Sequence, residues 1–579
     1  MMDAATICRN LEYLKANRAR LNSELEQAAA LCQPAKVGGT YYTRQSSQEG
    51  AQPRGVEVLC DFPQEAAMIF NRGLYSNLFP PNVRWFSFQA AADQKGSDRL
   101  NEFLTRVSQT IYDILYGTNF PVEMNEICSA AACAGTFVMS VEYDPEDFLR
   151  FEAHPLQKIY CQKSGKQNID TVYEEIPLTA SQAAAIFSKP GDQLGEKLRK
   201  DAADDLASRH DKIYKIIHYV APNRNRKFRS EKVNGVPVVK PVAGVEGSPF
   251  ISIYVEADEK VVIREEGFDY NPYTVGRIDE SINADVYGLS PALRALRTMK
   301  TQNKLWARYM EAVDSQLRPS VVADLAAYSD LLPEFNFSPN SVNYYNSQGG
   351  KYGAPTFYVP PANLAGGIDL FDRMSQVLNR FFCADLFTLI QNMNISDGRQ
   401  RTAREIAELV NERNSQLLTI VSRFLDELVS PLLKKSFWVL WNNVPQIFGE
   451  VDESIVAELA ENPLNLTYFS PMAMAARATR IQGTMAAVED AVSSGLLQFA
   501  PDALDVIKTD ELMKAFLEVR GAHPDHFRSE KELRDLRAKR AEEQQMQQQQ
   551  QMIADIAKSQ NLNESPGAGS LAGALMGGM

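Results

Sequence analysis

The chain has 579 residues, more than one hydrophobic core accommodates, and 45% of them are hydrophobic, so several subdomains with buried cores are expected. Its 73 acidic and 60 basic residues leave a net charge of -13. Proteins that grip nucleic acid are usually basic where they touch phosphate, so if this chain meets DNA it should handle the duplex without holding it.

In chain order, residues 1–134 read as an N-terminal helical part. Arg9 to Leu31 is an amphipathic helix, and Phe62 to Leu78 is a second one, ended by Pro80 and Pro81. Asn82 to Phe88 is a short extended piece. Asp98 to Tyr116 and Val122 to Ala134 are further helices, the latter introduced by Pro121. The texture changes at Gly135, and residues 135–286 form a β-rich part. Phe137 to Tyr143, Phe148 to His154, Asn168 to Glu175, Ile213 to Pro222, Phe250 to Glu256 and Val261 to Gly267 are short, β-branched or aromatic and bounded by turn residues, which predicts antiparallel strands. Two helices, Thr179 to Phe187 and Leu194 to Arg209, are inserted among them.

Residues 287–317 carry a helix, Pro291 to Leu317, with two faces. Leu296, Met299, Asn303, Trp306, Met310, Val313 and Leu317 recur at helical steps, and Arg297, Lys300, Lys304 and Arg308 form a basic stripe roughly opposite. The stripe reads either as a solvated face or as a surface for an acidic neighbour or a phosphate backbone. Residues 318–368 are Pro-, Gly- and Tyr-rich, with strand candidates at Pro319 to Ala323, Ser341 to Tyr345 and Thr356 to Val359. A second amphipathic helix, residues 369–390, places Leu370, Phe371, Met374, Val377, Leu378, Phe381 and Phe382 on one face.

A polar loop follows: Gln391, Asn392, Met393, Asn394, Ile395, Ser396, Asp397, Gly398, Arg399 and Gln400. Residues 401–470 then hold a long helix, with Thr402 as N-cap and Glu405 completing a capping box, and a return strand at Leu464 to Phe469. Pro431 interrupts the helix: it lacks an N–H and its ring crowds the carbonyl of Glu427, so a kink is expected there. Residues 471–545 supply helices at Ala473 to Ser494 and Asp510 to Arg520 and a charged helix from Phe527. Residues 546–579 are Gln-rich and then, by composition, disordered.

Catalytic motifs are missing. Ser164-Gly165-Lys166-Gln167 lacks both the hydroxyl and the upstream glycine of a phosphate-binding loop. His523 and His526 have no third partner for a metal, and Asp144, Glu146 and Asp147 read more simply as a turn than as a cation site. Seven cysteines without paired spacing point to a reducing compartment rather than a disulfide framework. The N-terminus has no signal-peptide pattern, and no run of 18 apolar residues occurs, so neither export nor a membrane-spanning helix is expected. These residues indicate a protein that is not an enzyme and needs no cofactor or metal. Two other classes remain to be set beside a purely structural protein: an enzyme such as an ATPase or nuclease, and an intracellular helical scaffold suggested by the Gln-rich C-terminus.

Four segments, LFPPNVRWFSF (Leu78 to Phe88), YGLSPALRALRTMKTQNKL (Tyr287 to Leu305), RTAREIAELVNER (Arg401 to Arg413) and FLDELVSPLLKKSFWVL (Phe424 to Leu440), resemble the portal, or head-tail connector, proteins of short-tailed bacteriophages. They fall in the family's order over more than half the chain. The resemblance implies an α+β, predominantly helical portal fold with wing, stem, clip and crown regions and an antiparallel β-rich subdomain. By the same resemblance, residues 1–134 and 135–286 are wing, 287–317 and 369–390 the stem helices, 318–368 the clip, 391–400 a tunnel loop facing DNA, and 471–545 crown and barrel. It implies a ring, usually of twelve copies, at one capsid vertex of the virion, assembled in the host cytoplasm. The partners implied are the chain itself, double-stranded DNA, the large terminase, tail adaptor and nozzle proteins, and the major capsid and scaffolding proteins, with no membrane. One departure is Arg404, where relatives are expected to carry a small polar residue. Helix axes about 8 to 10 Å apart put twelve helices on a circle about 35 Å across, leaving about 25 Å inside, enough for a duplex.

Overall fold

A computed structural model describes residues 3–34, 58–81, 83–90, 98–163, 169–203, 212–233, 236–242, 244–279, 286–324, 338, 341–345, 356–358, 364–388, 416–417, 419–449, 455–456, 459, 464–469, 513, 533, 536–540, 542–543, 545–547 and 549–552. The chain forms two compact units, Met1–Gln89 with Arg106–Ala476, and Ala90–Thr105 with Arg477–Met579. In the second unit the described residues between 533 and 552 are helical, including those of the Gln run. The expected helix at Ala473 to Ser494, the capping box at Thr402, the tail beyond residue 552 and, apart from Met513, which is helical, the expected helix at Asp510 to Arg520 lie outside the described residues.

The first unit opens with helices α1 (Ala4–Cys32) and α2 (Phe62–Leu78), strand β1 (Phe86–Ala90), and helices α3 (Asp98–Gly117) and α4 (Phe120–Cys133). Between α2 and β1 the chain is held by aromatic packing. Phe79 is fully buried, with its ring 4.9 Å from Trp85, 6.1 Å from Phe120 and 6.2 Å from Phe424. Trp85 continues the cluster to Phe86, and Phe88 to Phe437. The motif LFPPNVRWFSF is therefore a packing motif. Pro80 and Pro81 stop α2 and release the aromatic residues into one core, and Tyr116 Oη receives the Trp85 indole N–H at 3.3 Å.

Gly135, at φ +75°, turns the chain into the β-rich part. A Cβ there would lie 2.5 Å from the Ser290 nitrogen, so only glycine fits. The strands are β2 (Thr136–Asp144), β3 (Phe148–His154), β4 (Ile159–Lys163), β5 (Ile169–Thr179), β6 (Ile213–Pro222), β7 (Phe228–Val233), β8 (Val236–Pro241), β9 (Phe250–Glu256), β10 (Val261–Phe268) and β11 (Tyr273–Arg277). They form an antiparallel five-stranded sheet in the order β10-β9-β6-β5-β4, a three-stranded antiparallel sheet β11-β2-β3, and the hairpin β7-β8. Helices α5 (Ala180–Ile186) and α6 (Glu196–Ala203) are inserted between β5 and β6, as expected, and Thr179 with Gln182 makes the capping box of α5. The sequence reading overlooked β4, β7, β8 and β11.

Arg18 pins α1 to this part. It is buried, donates to the carbonyls of Ile159 and Gln157, and lies 3.8 Å over the Tyr160 ring. Backbone oxygens and a π face here do the work usually done by a carboxylate.

Helix α7 (Pro291–Leu317) starts as expected, with Ser290 Oγ accepting from Leu293 N at 2.9 Å and donating to Cys133 O at 2.7 Å. The expected small sheet follows as β12 (Ser320–Asp324), β13 (Val342–Tyr345) and β14 (Thr356–Tyr358), in the order β13-β12-β14 with β12 and β13 parallel. The next helix differs from expectation. It spans α8 (Leu364–Phe381), starting before residue 369 and ending well before residue 390. Cys383 takes a left-handed φ of +53° and breaks it from a short helix, α9 (Ala384–Phe387). The residues after the break turn away because Phe387 fits the notch at Gly73 on α2, where a Cβ would sit 2.3 Å from the phenyl ring.

Pro431 acts one turn upstream of itself. Residues Leu425–Val429 form a π turn, and the helix resumes as α10 (Ser430–Asn443) with proline in its first turn. The wider turn accommodates the missing N–H and the ring that the sequence places against Glu427. The last strand, β15 (Leu464–Tyr468), pairs with β1. Replacing Phe79 with Ala should cost about 3 to 5 kcal/mol of unfolding free energy in urea, because that ring touches three segments at once. A loss under about 1 kcal/mol would show that the aromatic cluster is not the core of this unit.

Candidate functional site

Helices α7 and α8 lie antiparallel. Gln302 Nε2 donates to Ser375 Oγ at 2.8 Å, the Trp306 ring is 4.7 Å from that of Phe371, and Tyr309 abuts Gly367, so residue numbers rise on one helix as they fall on the other. Of the seven apolar residues expected on one face of the second helix, six divide into two adjacent stripes and Met374 is half-buried. Phe371, Leu378 and Phe382 are buried together with Ser375. Leu370, Val377 and Phe381, about 100° further round, remain 49%, 40% and 38% exposed. On α7, Leu296 and Met299 are buried, Asn303, Trp306 and Val313 are half-buried, and Met310 and Leu317 are 49% and 76% exposed.

All four residues of the basic stripe, Arg297, Lys300, Lys304 and Arg308, are exposed, as their spacing requires. Lys300 reaches Gln27 of α1, and among the described residues none of the four pairs with a carboxylate. The loop Gln391–Gln400 lies outside the described residues, so the structure does not bring it together with the stripe. Upstream of the loop, α9 ends at Phe387, which lies against Gly73 and 6.0 Å from the Phe70 ring.

β11, which the sequence reading missed, joins the β-rich part to the interrupted helix. Arg277 holds Glu427 of the π turn with two hydrogen bonds, at 3.0 and 2.9 Å. Lys435 of α10 donates to Tyr273 O and Thr274 Oγ1, each at 2.8 Å, and burial pulls its pKa down to about 7. Gly276 leaves room for this approach, since a Cβ there would meet Phe137 at 2.3 Å and Leu428 at 3.1 Å. β11 buries four of its five residues without alternation, which leaves no period to read from sequence, and its partners come from far along the chain.

Among the described residues, no group of three or more His, Cys, Asp or Glu is arranged to hold a metal ion, and no helix is long and apolar enough to cross a membrane. Asp144 Oδ1 accepts from the Glu146 and Asp147 backbone N–H groups at 2.8 and 3.4 Å, so this acidic stretch is an ordinary turn. A cavity of roughly 640 Å³ beside β4, β5 and β6 mixes Lys163 and Arg224 with Asp170 and Glu265, which selects no single ligand charge.

The chain belongs to the family of bacteriophage head to tail connecting proteins, the portal proteins of phage virions, whose model matches residues 4–527. It is 23% identical over 492 residues to the portal protein of Salmonella phage epsilon15, covering 84% of this chain and 83% of that one. With the probable portal protein of Bordetella phage BPP-1 it shares 20% identity over 502 residues, covering 85% and 83%. Among solved structures it is similar to a chain in the neck of an empty gene transfer agent particle, at 13% identity, covering 73% of this chain and 86% of that chain, with a TM-score of 0.30. The resemblance carried by the four sequence motifs is thereby borne out, and nothing favours a non-viral scaffold.

Proposed function

We propose that copies of this chain close into a ring, a dodecamer as the resemblance implies, at one vertex of the capsid, and that double-stranded DNA passes through it during packaging and ejection. The observation that carries this reading is the second apolar stripe on α8. Leu370, Val377 and Phe381 repeat at helical spacing beside a stripe already buried on α7, so a single chain leaves them in water. A neighbouring copy applied to that side removes them from it, at about 25 cal/mol per Å² of apolar surface. In this reading α7 and α8 are the stem, the β12–β14 sheet belongs to the clip, and Gln391–Gln400 is the tunnel loop. The stripe Arg297, Lys300, Lys304 and Arg308 then faces an acidic neighbour or the DNA. The large terminase docks during filling, tail adaptor and nozzle proteins replace it, and capsid and scaffolding proteins surround the ring.

Three measurements test the proposal. With Leu370, Val377 and Phe381 all changed to Ser, the chain should keep its circular dichroism spectrum and run as a single copy in light scattering. Normal annular particles in negative stain would remove the role given to that stripe. Deleting Gln391–Gln400 should leave rings intact while DNA packaging or retention falls by tenfold or more, an order-of-magnitude expectation for lost positioning contacts. Normal genome filling by that deletion would rule the loop out. Changing Lys300, Lys304 and Arg308 to Glu should weaken assembly or DNA passage, whereas no effect on either would leave the stripe a solvated face.

A further inference from the structure

Two of the chain's five histidines sit in one buried polar cluster between the five-stranded and three-stranded sheets. Ser140 Oγ on β2 meets His154 Nε2 on β3 at 2.8 Å, and His154 Nδ1 meets Glu174 Oε1 on β5 at 2.7 Å. Tyr273 Oη on β11 donates to Glu174 Oε2 at 2.5 Å and lies 2.6 Å from His218 Nδ1 on β6. His218 Nε2 meets Ser252 Oγ on β9 at 2.7 Å, and the imidazole stacks on the Tyr254 ring at 4.0 Å. All of these groups except Tyr254 are buried.

The order of donors is forced. An ionised carboxylate only accepts, so Tyr273 spends its proton on Glu174 and its oxygen accepts from His218 Nδ1–H. Burial of His218 disfavours its charged form, so the ring is neutral and its Nε2 accepts from the Ser252 hydroxyl. His154 is different. Burial disfavours its charge, but Glu174 outweighs burial and holds its pKa above the ordinary value, while burial of Glu174 is likewise overcome by His154, which holds that carboxyl low. The cluster thus has one carboxylate for two imidazoles. The other charged groups that face it among the described residues are Glu142 on β2, Glu152 on β3, Arg264 and Glu266 on β10 and, across the Tyr273 carbonyl, Lys435 on α10.

We propose that this cluster is a proton-sensitive latch between the two sheets, closed at neutral pH and opened in mild acid when His218 takes a proton. The proton comes from solvent and binds Nε2, which removes the acceptor of the fully buried Ser252 hydroxyl and sets a second cation beside the single charge of Glu174. Burial depresses the folded-state value of His218 to about 4 from an ordinary 6.5, so its contribution is complete above pH 6.5 and is lost as pH falls toward 4. The raised value of His154 works in the other direction: its contribution is intact below 6.5 and disappears only as pH rises through that higher value. Glu174, with its lowered value, contributes above 4.5 and down toward that lower value. Acid opening between pH 6.5 and 4 is therefore assigned to His218.

The test is hydrogen–deuterium exchange of the full-length protein at pH 7.5 and 5.0, corrected for the intrinsic chemical rate. Peptides covering β6, β9 and β11 should exchange faster at pH 5.0; titration of His218 alone, with 6.5 in the open state and about 4 in the closed state, gives about 30-fold, and the raised value of His154 offsets part of it. A His218→Gln chain should show no such acceleration. Equal protection at both pH values, or the same acceleration in His218→Gln, would overturn the latch. Should that variant fail to fold, exchange of the His218 ring C2–H in the unaltered protein decides the matter, a midpoint below 6 supporting the latch and one at 6 or above refuting it.

Discussion

The antiparallel register of α7 against α8 is the constraint on which the rest of the functional half depends. Gln302 with Ser375, Trp306 with Phe371 and Tyr309 with Gly367 fix which residues of each helix meet. Everything in sequence between the two helices, including the β12–β14 sheet, is inserted into that pairing. Once the pairing is set, the stripe through Phe371 and Leu378 is consumed inside the chain and the stripe through Leu370 and Val377 is left over. A family of ring-forming connectors needs such a surplus, because an interface between copies must be built from surface that folding of one copy leaves uncovered.

The portal motifs owe their recurrence in this chain to packing and backbone geometry. In LFPPNVRWFSF the informative residues are Phe79, Trp85, Phe86 and Phe88, all buried. In YGLSPALRAL, Gly288 lets Gly135 O approach where a Cβ would be 2.7 Å away, Ser290 caps α7, and Ala295 and Leu296 are buried. In FLDELVSPLL, Leu425, Leu428, Leu432 and Leu433 are buried, and Glu427 is held by Arg277. A motif of this kind announces a fold, and function follows only because this fold serves one purpose in its family.

What could be read from the residues divides along the same physical line. Long helices and strands with their own hydrophobic period, such as Pro291–Leu317, Ile213–Pro222 and Phe250–Glu256, agree with their expected limits to the residue. The three strands of the β12–β14 sheet were also legible, since a proline stands within three residues before each of them, Pro319, Pro339 and Pro355. β4 and β11 escaped because their burial does not alternate, with Ile159, Tyr160 and Cys161 buried in succession and four of the five residues of β11 buried on both faces. The end of α8 was misjudged because hydrophobic spacing continues through Phe381 and Phe382 while the backbone reverses at Cys383, a choice made by the Gly73 notch on a distant helix. The basic stripe was visible from spacing alone. The histidine cluster was not, since its members come from six strands and meet only after two sheets have packed.

Gln302 adds one more consequence. Its amide nitrogen is used by Ser375, and Ser375 in turn donates to the Phe371 carbonyl at 3.0 Å, but the amide oxygen accepts no hydrogen bond from the described residues despite full burial. An amide placed among Met299, Phe371 and Leu378 makes a poor adhesive and a good vernier. Sliding the two helices by one turn would strand both polar groups in hydrocarbon, at about 1 to 3 kcal/mol each, while the apolar residues would hardly notice. The hairpin thus forgoes some cohesion so that it has a single setting, and every copy in an assembly presents its outer stripe at the same height.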